Sequence, residues 1–217
     1  MLTPRLDMVL KNVTTDFVAD IGTDHAYIPI ELAKKGVRVV ATDVNAGPLR
    51  SAEKNVRKNA LSVTLLKGDG LFPIPFVKEI IIAGMGGELI KKIIKDGFDK
   101  ACSARLLLQP MNSQAELRKF LMENGFSIEK EDLAQEGRKI YNLIVAKKGT
   151  SPLPSAEIDL HLPPALYKHP IFPVLLEKKE REFSKQFIGL SKSKNGGSCE
   201  LKRLEGLLSD INRLKEL

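Results

Sequence analysis

The sequence contains no tryptophan and only two cysteines, Cys102 and Cys199, among its 217 residues. The cysteines lie far apart and outside any CxxC or Cys/His cluster, so we expect two packing residues, no metal site and no disulfide framework. No apolar run reaches the roughly eighteen residues of a membrane span, and the amino-terminal segment lacks the apolar stretch and cleavage site of a secretory signal. We therefore predict a cytoplasmic protein without a membrane partner.

The charge balance is positive, with 34 Lys and Arg against 27 Asp and Glu and a formal net charge of +7. Because cations that neutralise phosphates release condensed counterions, this surplus favours a polyanionic partner without identifying one. A hydrophobic content of 43% can fill a core, which excludes a disordered chain. The sequence leaves the oligomeric state open, and a monomer is compatible with it.

Short β-branched runs alternate with stretches of helical period from Asp16 to Lys148, as expected for βα units on a parallel sheet. Seven strands are predicted: FVADIG, VRVVATD, VTLLKGD, EIIIAG, RLLLQP, GFSIEKEDLA and YNLIVAKK. Helices are predicted over 28–35, 48–59, 88–95 and 113–124, with Ser113 and Glu116 as a capping pair and Gly125 just beyond the helix. The last two strands have no helix between them, so the final strand should insert antiparallel, as in the Rossmann-like α/β sheet of class I methyltransferases.

A domain boundary is predicted near residue 150, because six of the twelve prolines fall between Ser151 and Pro173. Residues 1–150 form one domain, and 151–217 a proline-rich connection and a helical tail. Two helices, 174–193 and 199–217, flank a turn at Asn195, Gly196 and Gly197. Apolar residues recur at intervals of three, four or seven and favour an antiparallel α-helical hairpin with coiled-coil packing: Leu176, Phe183, Phe187, Leu190, Leu201, Leu204, Leu208 and Ile211. This hairpin either binds a partner or only stabilises the fold.

The segment VADIGTDHAYIPI is an apolar strand that ends in Asp20 and turns through Gly22 into a helix. In open α/β sheets this turn approaches a nucleotide-like ligand. Asp43 ends the second strand and can accept both ribose hydroxyls of an adenosine cofactor.

The residues after Gly22 distinguish between cofactors. A nicotinamide site needs GxGxxG for a pyrophosphate, whereas Thr23, Asp24 and His25 follow here and the acidic side chains would repel phosphate. S-adenosylmethionine carries an ammonium and a sulfonium, so Asp20 and Asp24 favour this cofactor. Both aspartates could also cap the following helix.

Two further turns complete the predicted cofactor site. Asp69 and Gly70 end the third strand, where the aspartate could accept from the exocyclic amine of adenine, although Asp-Gly is also an ordinary turn pair. The fourth strand ends in a glycine-rich loop that leaves room for ligands, or simply makes a tight turn, at Ala83, Gly84, Met85 and Gly86.

Several segments together resemble the bacterial tRNA (adenine-22-N1)-methyltransferase family. They are RLDMV, DIGTDHAYIPI, ATDVNAGPL, GDGL, IIAGMGGELI, LLQPMN and YNLIVAKKG. One departure is Pro163-Pro164, where the family pattern has Gly-Pro. The resemblance implies a catalytic domain over 1–150 that binds S-adenosylmethionine, a tail that helps hold tRNA, and four more cofactor-site residues, Arg5, Leu6, Thr23 and Val44.

The implied reaction is methyl transfer to N1 of an adenine in the D-loop region of tRNA. This nitrogen has a free lone pair, so alignment suffices and no general base is required. We expect Tyr27 to stack on the target base and Asp24 and His25 to orient it. Alternatively, His25 fixes the loop and Tyr27 packs in the core. An N6 methylase would show an Asn/Asp-Pro-Pro-aromatic tetrad after the fourth strand, and AGMGG is not one.

Two other functions stay open. A class I methyltransferase could act on another RNA position or on a non-RNA substrate, or the chain could be a catalytically silent RNA-binding relative. Basic residues of the tail favour RNA if they track phosphates, but a solvated face is the commoner reason for such residues. They are Lys178, Lys179, Arg181, Lys185, Lys192, Lys194, Lys202, Arg203, Arg213 and Lys215.

Overall fold

The computed structural model describes residues 2–192 and 197–216. The chain divides into two units, Met1–Leu153 and Pro154–Leu217. The first unit contains a seven-stranded sheet: β1 (Phe17–Ile21), β2 (Arg38–Asp43), β3 (Thr64–Lys67), β4 (Glu79–Met85), β5 (Arg105–Pro110), β6 (Phe126–Glu136) and β7 (Lys139–Lys148). Its strand order is β3-β2-β1-β4-β5-β7-β6, and β7 runs antiparallel to both β5 and β6. The predicted α/β sheet with an antiparallel last strand is therefore confirmed.

Six helices of the first unit flank the sheet: α1 (Pro4–Lys11), α2 (Tyr27–Lys34), α3 (Ala46–Lys58), α4 (Gly87–Asp96), α5 (Phe98–Ser103) and α6 (Gln114–Glu123). Because successive strand residues point to opposite faces, Ile80 and Ile82 pack with α4, α5 and α6, whereas Ile81 packs with α1 and α2. The helices α1 and α5 were not predicted. Both are short, and α1 begins with a proline, which is tolerated at the first helical position.

Two local predictions fail in part. Ser113 is the N-cap residue of α6, as predicted, but its backbone is left-handed, with φ of 51°, and its side chain makes no capping hydrogen bond. Cys199 is exposed at the start of α9 (Ser198–Leu214) and is not a packing residue, whereas Cys102 is half-buried against the core. Gly125 does follow α6 with a left-handed φ of 76°, as predicted.

The second unit contains α7 (Ile158–His161), a 3-10 turn (Pro164–Leu166), α8 (Phe172–Ser191) and α9. Lys215, just beyond α9, forms an ion pair of 2.6 Å with Glu180 on α8, as expected for antiparallel helices. The buried seam consists of Phe172, Leu175, Leu176, Phe183, Leu204, Leu207 and Ile211. It includes Leu207 rather than the predicted Leu208, and Phe187 and Leu190 are only half-buried. The coiled-coil assignment stays a prediction, and the predicted turn residues Asn195 and Gly196 lie outside the described residues.

Within the described ranges, no helix is long and apolar enough to cross a membrane.

Candidate cofactor and substrate site

A cavity of about 390 Å³ lies at the carboxyl ends of β1 and β4. Ten of the predicted site residues line it: Arg5, Leu6, Asp20, Gly22, Thr23, Asp24, His25, Tyr27, Ala83 and Gly84. Six others do not: Asp43, Val44, Asp69, Gly70, Met85 and Gly86. The lining also includes five residues to which the sequence assigned no site role: Thr3, Ile28, Met111, Glu136 and Tyr141.

The loop after β1 has an unusual backbone. Gly22, Asp24 and Ala26 all have positive φ, at 74°, 47° and 59°. Such values are uncommon for residues other than glycine and cluster at functional sites. A Cβ at Gly22 would lie 2.1 Å from Cε of Met85, the flexible end of that side chain, so the Met85 side chain would have to shift. The loop is therefore a constrained structure, in which the positive φ of Gly22 favours glycine.

Asp20 is a buried carboxylate in the cavity wall. Burial removes water from this group and raises its pKa to about 6. The hydroxyl of Thr23 opposes this shift, but this buried hydroxyl has no hydrogen bond of ordinary geometry to another described residue. A cationic ligand would stabilise the ionised form of Asp20, and a polar ligand could satisfy the hydroxyl. The pair thus fits the ammonium end of an amino acid.

Tyr27, His25 and Asp24 form the outer rim of the cavity. Tyr27 is 54% exposed, which contradicts the alternative that it packs in the core. The His25 ring lies 5.5 Å from the Tyr27 ring, between centroids, and its Nε2 lies 3.6 Å from the Asp24 carboxylate. The carbonyl of His25 accepts a hydrogen bond of 3.0 Å from Asn55, which ties the loop to α3. An exposed aromatic face is thus available to a planar ligand.

Asp43 and Asp69 lie on neighbouring loops at the same edge of the sheet. Gly22 and Thr23 donate backbone hydrogen bonds to Thr42, and Gly68 donates one to the carbonyl of Asp43. The β1, β2 and β3 loops are therefore adjacent. Asp43 is half-buried, and its Oδ1 accepts a hydrogen bond of 2.8 Å from the backbone of Asn45. Asp69 is exposed.

The glycine-rich loop after β4 is tied to the loop after β5. Met111 donates a backbone hydrogen bond of 2.8 Å to Met85, and the side chain of Asn112 accepts one of 3.1 Å from Gly87. A Cβ at Gly87 would lie 2.7 Å from the carbonyl oxygen of Ser113. The close approach of the Ser113 backbone explains why residue 87 is a glycine. The segment LLQPMN thus shapes the site, although we had assigned no site residue to it.

Glu136 and Tyr141 belong to the β6–β7 hairpin and complete the wall opposite the β1 loop. Glu136 Oε1 accepts a hydrogen bond of 2.8 Å from the backbone of Arg5. Burial raises the pKa of Glu136, but hydrogen bonds from Thr3 and from the Arg5 backbone outweigh this and hold it below its ordinary value. Tyr141 begins the segment YNLIVAKKG, but the sequence assigned it no site role. Glu136 carried no sequence signal, because its role depends on contact with a helix more than 100 positions away.

Within the described part of the chain, no group of three or more acidic, cysteine or histidine side chains could hold a metal ion.

Comparisons with known proteins agree with this fold. The methyltransferase domain family matches residues 2–144. The tRNA (adenine(22)-N(1))-methyltransferase of Bacillus subtilis is 36% identical over 156 residues, which are 68% of this chain and 66% of that protein. The B. subtilis m1A22 tRNA methyltransferase TrmK superposes with a TM-score of 0.84 and 28% identity over 100% of this chain and 98% of that one. Streptococcus pneumoniae Sp1610, solved with S-adenosyl-L-methionine, has a TM-score of 0.85 and 32% identity over 99% of both chains.

The fold and the site together define a class I methyltransferase domain. More narrowly, the chain belongs to the bacterial tRNA (adenine-22-N1)-methyltransferase family.

Proposed function

We propose that the protein transfers a methyl group from S-adenosylmethionine to N1 of adenine 22 in tRNA. The observation that carries this proposal is a cavity with a buried anion, Asp20, and a guanidinium, Arg5, in its wall, below an exposed aromatic rim. Opposite charges of this kind suit the zwitterionic amino-acid end of the cofactor. The named activity of the B. subtilis relative supports the choice of substrate.

The cofactor would lie across three loops. Asp20 binds its ammonium, with Thr23 and Asp24 beside it, and Arg5 binds its carboxylate next to Leu6. Asp43 accepts hydrogen bonds from the ribose hydroxyls, because its second oxygen remains available beside the bond to Asn45. Val44, Asp69 and Gly70 border the adenine, and the loop from Ala83 to Gly86 borders the transferred methyl.

S-adenosylmethionine supplies an electrophilic methyl group on sulfur, which the lone pair of adenine N1 can attack directly. The protein therefore has to align the base and tolerate a cationic product, and it needs no general base. Tyr27 offers its exposed ring for stacking on the adenine, and Asp24 and His25, beside this ring on the rim, orient the base. Glu136 remains ionised on the opposite wall, so its negative charge suits the positive product.

The helical tail would contribute phosphate contacts. Five of its basic residues already form ion pairs with acidic neighbours: Lys178, Lys179, Arg203, Arg213 and Lys215. Four are exposed and have no ion pair within the described residues: Arg181, Lys185, Lys192 and Lys202. These four are the better candidates for tRNA contacts, since their charge is not already compensated. Lys194 lies outside the described residues.

The test is methylation of bulk tRNA from a strain that lacks the enzyme, using labelled S-adenosylmethionine, followed by nucleoside analysis. We expect 1-methyladenosine as the labelled nucleoside, and a tRNA with adenine 22 replaced should accept no label. A different labelled nucleoside would refute the proposed position. Absence of S-adenosylhomocysteine binding in calorimetry would refute the proposed cofactor.

A further inference from the structure

Gln109 is a fully buried polar residue near the carboxyl end of strand β5, directly after the apolar residues Leu106, Leu107 and Leu108. Its Oε1 accepts two hydrogen bonds, one of 3.0 Å from Nη1 of Arg5 and one of 3.1 Å from the backbone N–H of Gly84. Its Nε2 donates a hydrogen bond of 3.2 Å to the carbonyl of Pro110. These contacts fix the orientation of the amide, because an inverted amide would place its NH₂ group against the N–H donors of Arg5 and Gly84.

Arg5 is thereby held at both ends. Its backbone N–H is bound by Glu136, and its guanidinium carbon lies 5.6 Å from the centroid of the Tyr141 ring. A Cβ at residue 84 would lie 3.1 Å from Nη1 of Arg5, so Gly84 provides the space for this head group. A long arginine side chain loses considerable rotamer freedom when it binds a ligand, and prior ordering reduces that loss.

We propose that Gln109 is a positioning residue that presents the Arg5 guanidinium to the carboxylate of the cofactor's amino-acid end. This inference rests on the proposed function. This positioning role requires that the Gln109 amide is neutral. A carboxylate at this position would also accept from Arg5, but it would form an ion pair and compensate the charge that the cofactor needs. Glutamine orients the guanidinium and leaves its charge available.

The substitution Gln109→Met tests this role because it keeps the length of the side chain and removes both polar atoms. Binding is measured by calorimetry with two probes, S-adenosylhomocysteine and 5′-methylthioadenosine, which lacks the amino-acid end. We expect S-adenosylhomocysteine to bind about tenfold more weakly, as for one lost charge-assisted contact, and 5′-methylthioadenosine to change by less than about twofold. Equal losses for both probes would indicate a collapsed loop and overturn the proposal, as would unchanged binding of both.

Two further variants sharpen the test. In an Arg5→Met background, Gln109→Met should add almost no further loss for S-adenosylhomocysteine, because the residue acts through Arg5; additive losses would contradict this. Gln109→Glu should also weaken S-adenosylhomocysteine, and tighter binding would refute the argument from neutrality. Gln135→Met, at an exposed position on β6, is the matched control. If the unaltered protein failed to bind S-adenosylhomocysteine, the proposed function itself would fail, whereas the outcomes above concern Gln109 alone.

Discussion

Replacing Asp20 by asparagine should stabilise the protein and at the same time weaken cofactor binding. Burial raises the pKa of Asp20 from 3.8 to about 6, so the folded state disfavours the ionised carboxylate by about two pKa units. At 1.36 kcal/mol per unit, this corresponds to about 3 kcal/mol of lost stability at neutral pH. The neutral amide has the same shape and does not carry this cost. Cofactor binding should weaken by about tenfold or more, because the ammonium loses its charged partner.

The pH dependence of the stability gain shows whether desolvation of the Asp20 carboxylate causes it. Below about pH 4 the carboxyl group is neutral in both the folded and the unfolded state, so Asp20→Asn should be no more stable than the unaltered protein. The advantage of the variant should grow as the pH rises from 4 to 6 and be complete above about pH 6. Urea unfolding of the two proteins between pH 4 and 8 measures this, and calorimetry with S-adenosylhomocysteine measures binding.

Asp69→Asn serves as the control for stability. Because the Asp69 carboxylate is exposed, its replacement by a neutral amide should not stabilise the folded protein. A stability gain of the same size at pH 4 and pH 8 would refute desolvation of the carboxylate as its source. A variant that is more stable but binds S-adenosylhomocysteine normally would remove Asp20 from the cofactor site.

Three further sets of substitutions test the remaining assignments. Tyr27→Phe should keep most of the single-turnover activity and Tyr27→Ala should lose most of it, since stacking contributes about 1 to 3 kcal/mol and no proton is removed; an inactive phenylalanine variant would show that the hydroxyl is needed. Asp43→Ala should weaken S-adenosylhomocysteine by about 1.5 to 3 kcal/mol, and normal binding would place the ribose elsewhere. The double substitution Lys185→Glu and Lys202→Glu should weaken tRNA binding and reduce its salt dependence while leaving cofactor affinity unchanged; unaltered tRNA binding would leave the tail a stabilising element.

Local sequence patterns were sufficient to predict the strands of the sheet. Strands that are buried on two faces have continuous apolar runs, and here these runs end at Asp20, Asp43 and Gly84. The antiparallel direction of β7 followed from the missing helix between the last two strands, whereas the strand order came only from the structure. The errors concern features that local patterns specify weakly. Ser113 has the residue type of a cap but not the backbone of one.

The sequence alone determined the fold class, the family and the loops that form the site, because each depends on residues close together in the chain. Only the tertiary structure decided how these loops function. Asp20 has a raised pKa because distant segments remove its water. Gln109 reaches Arg5 across 104 positions of sequence, and Glu136 reaches it across 131. Such contacts arise when strands and helices pack, so residues that look ordinary in the sequence acquire their roles only there.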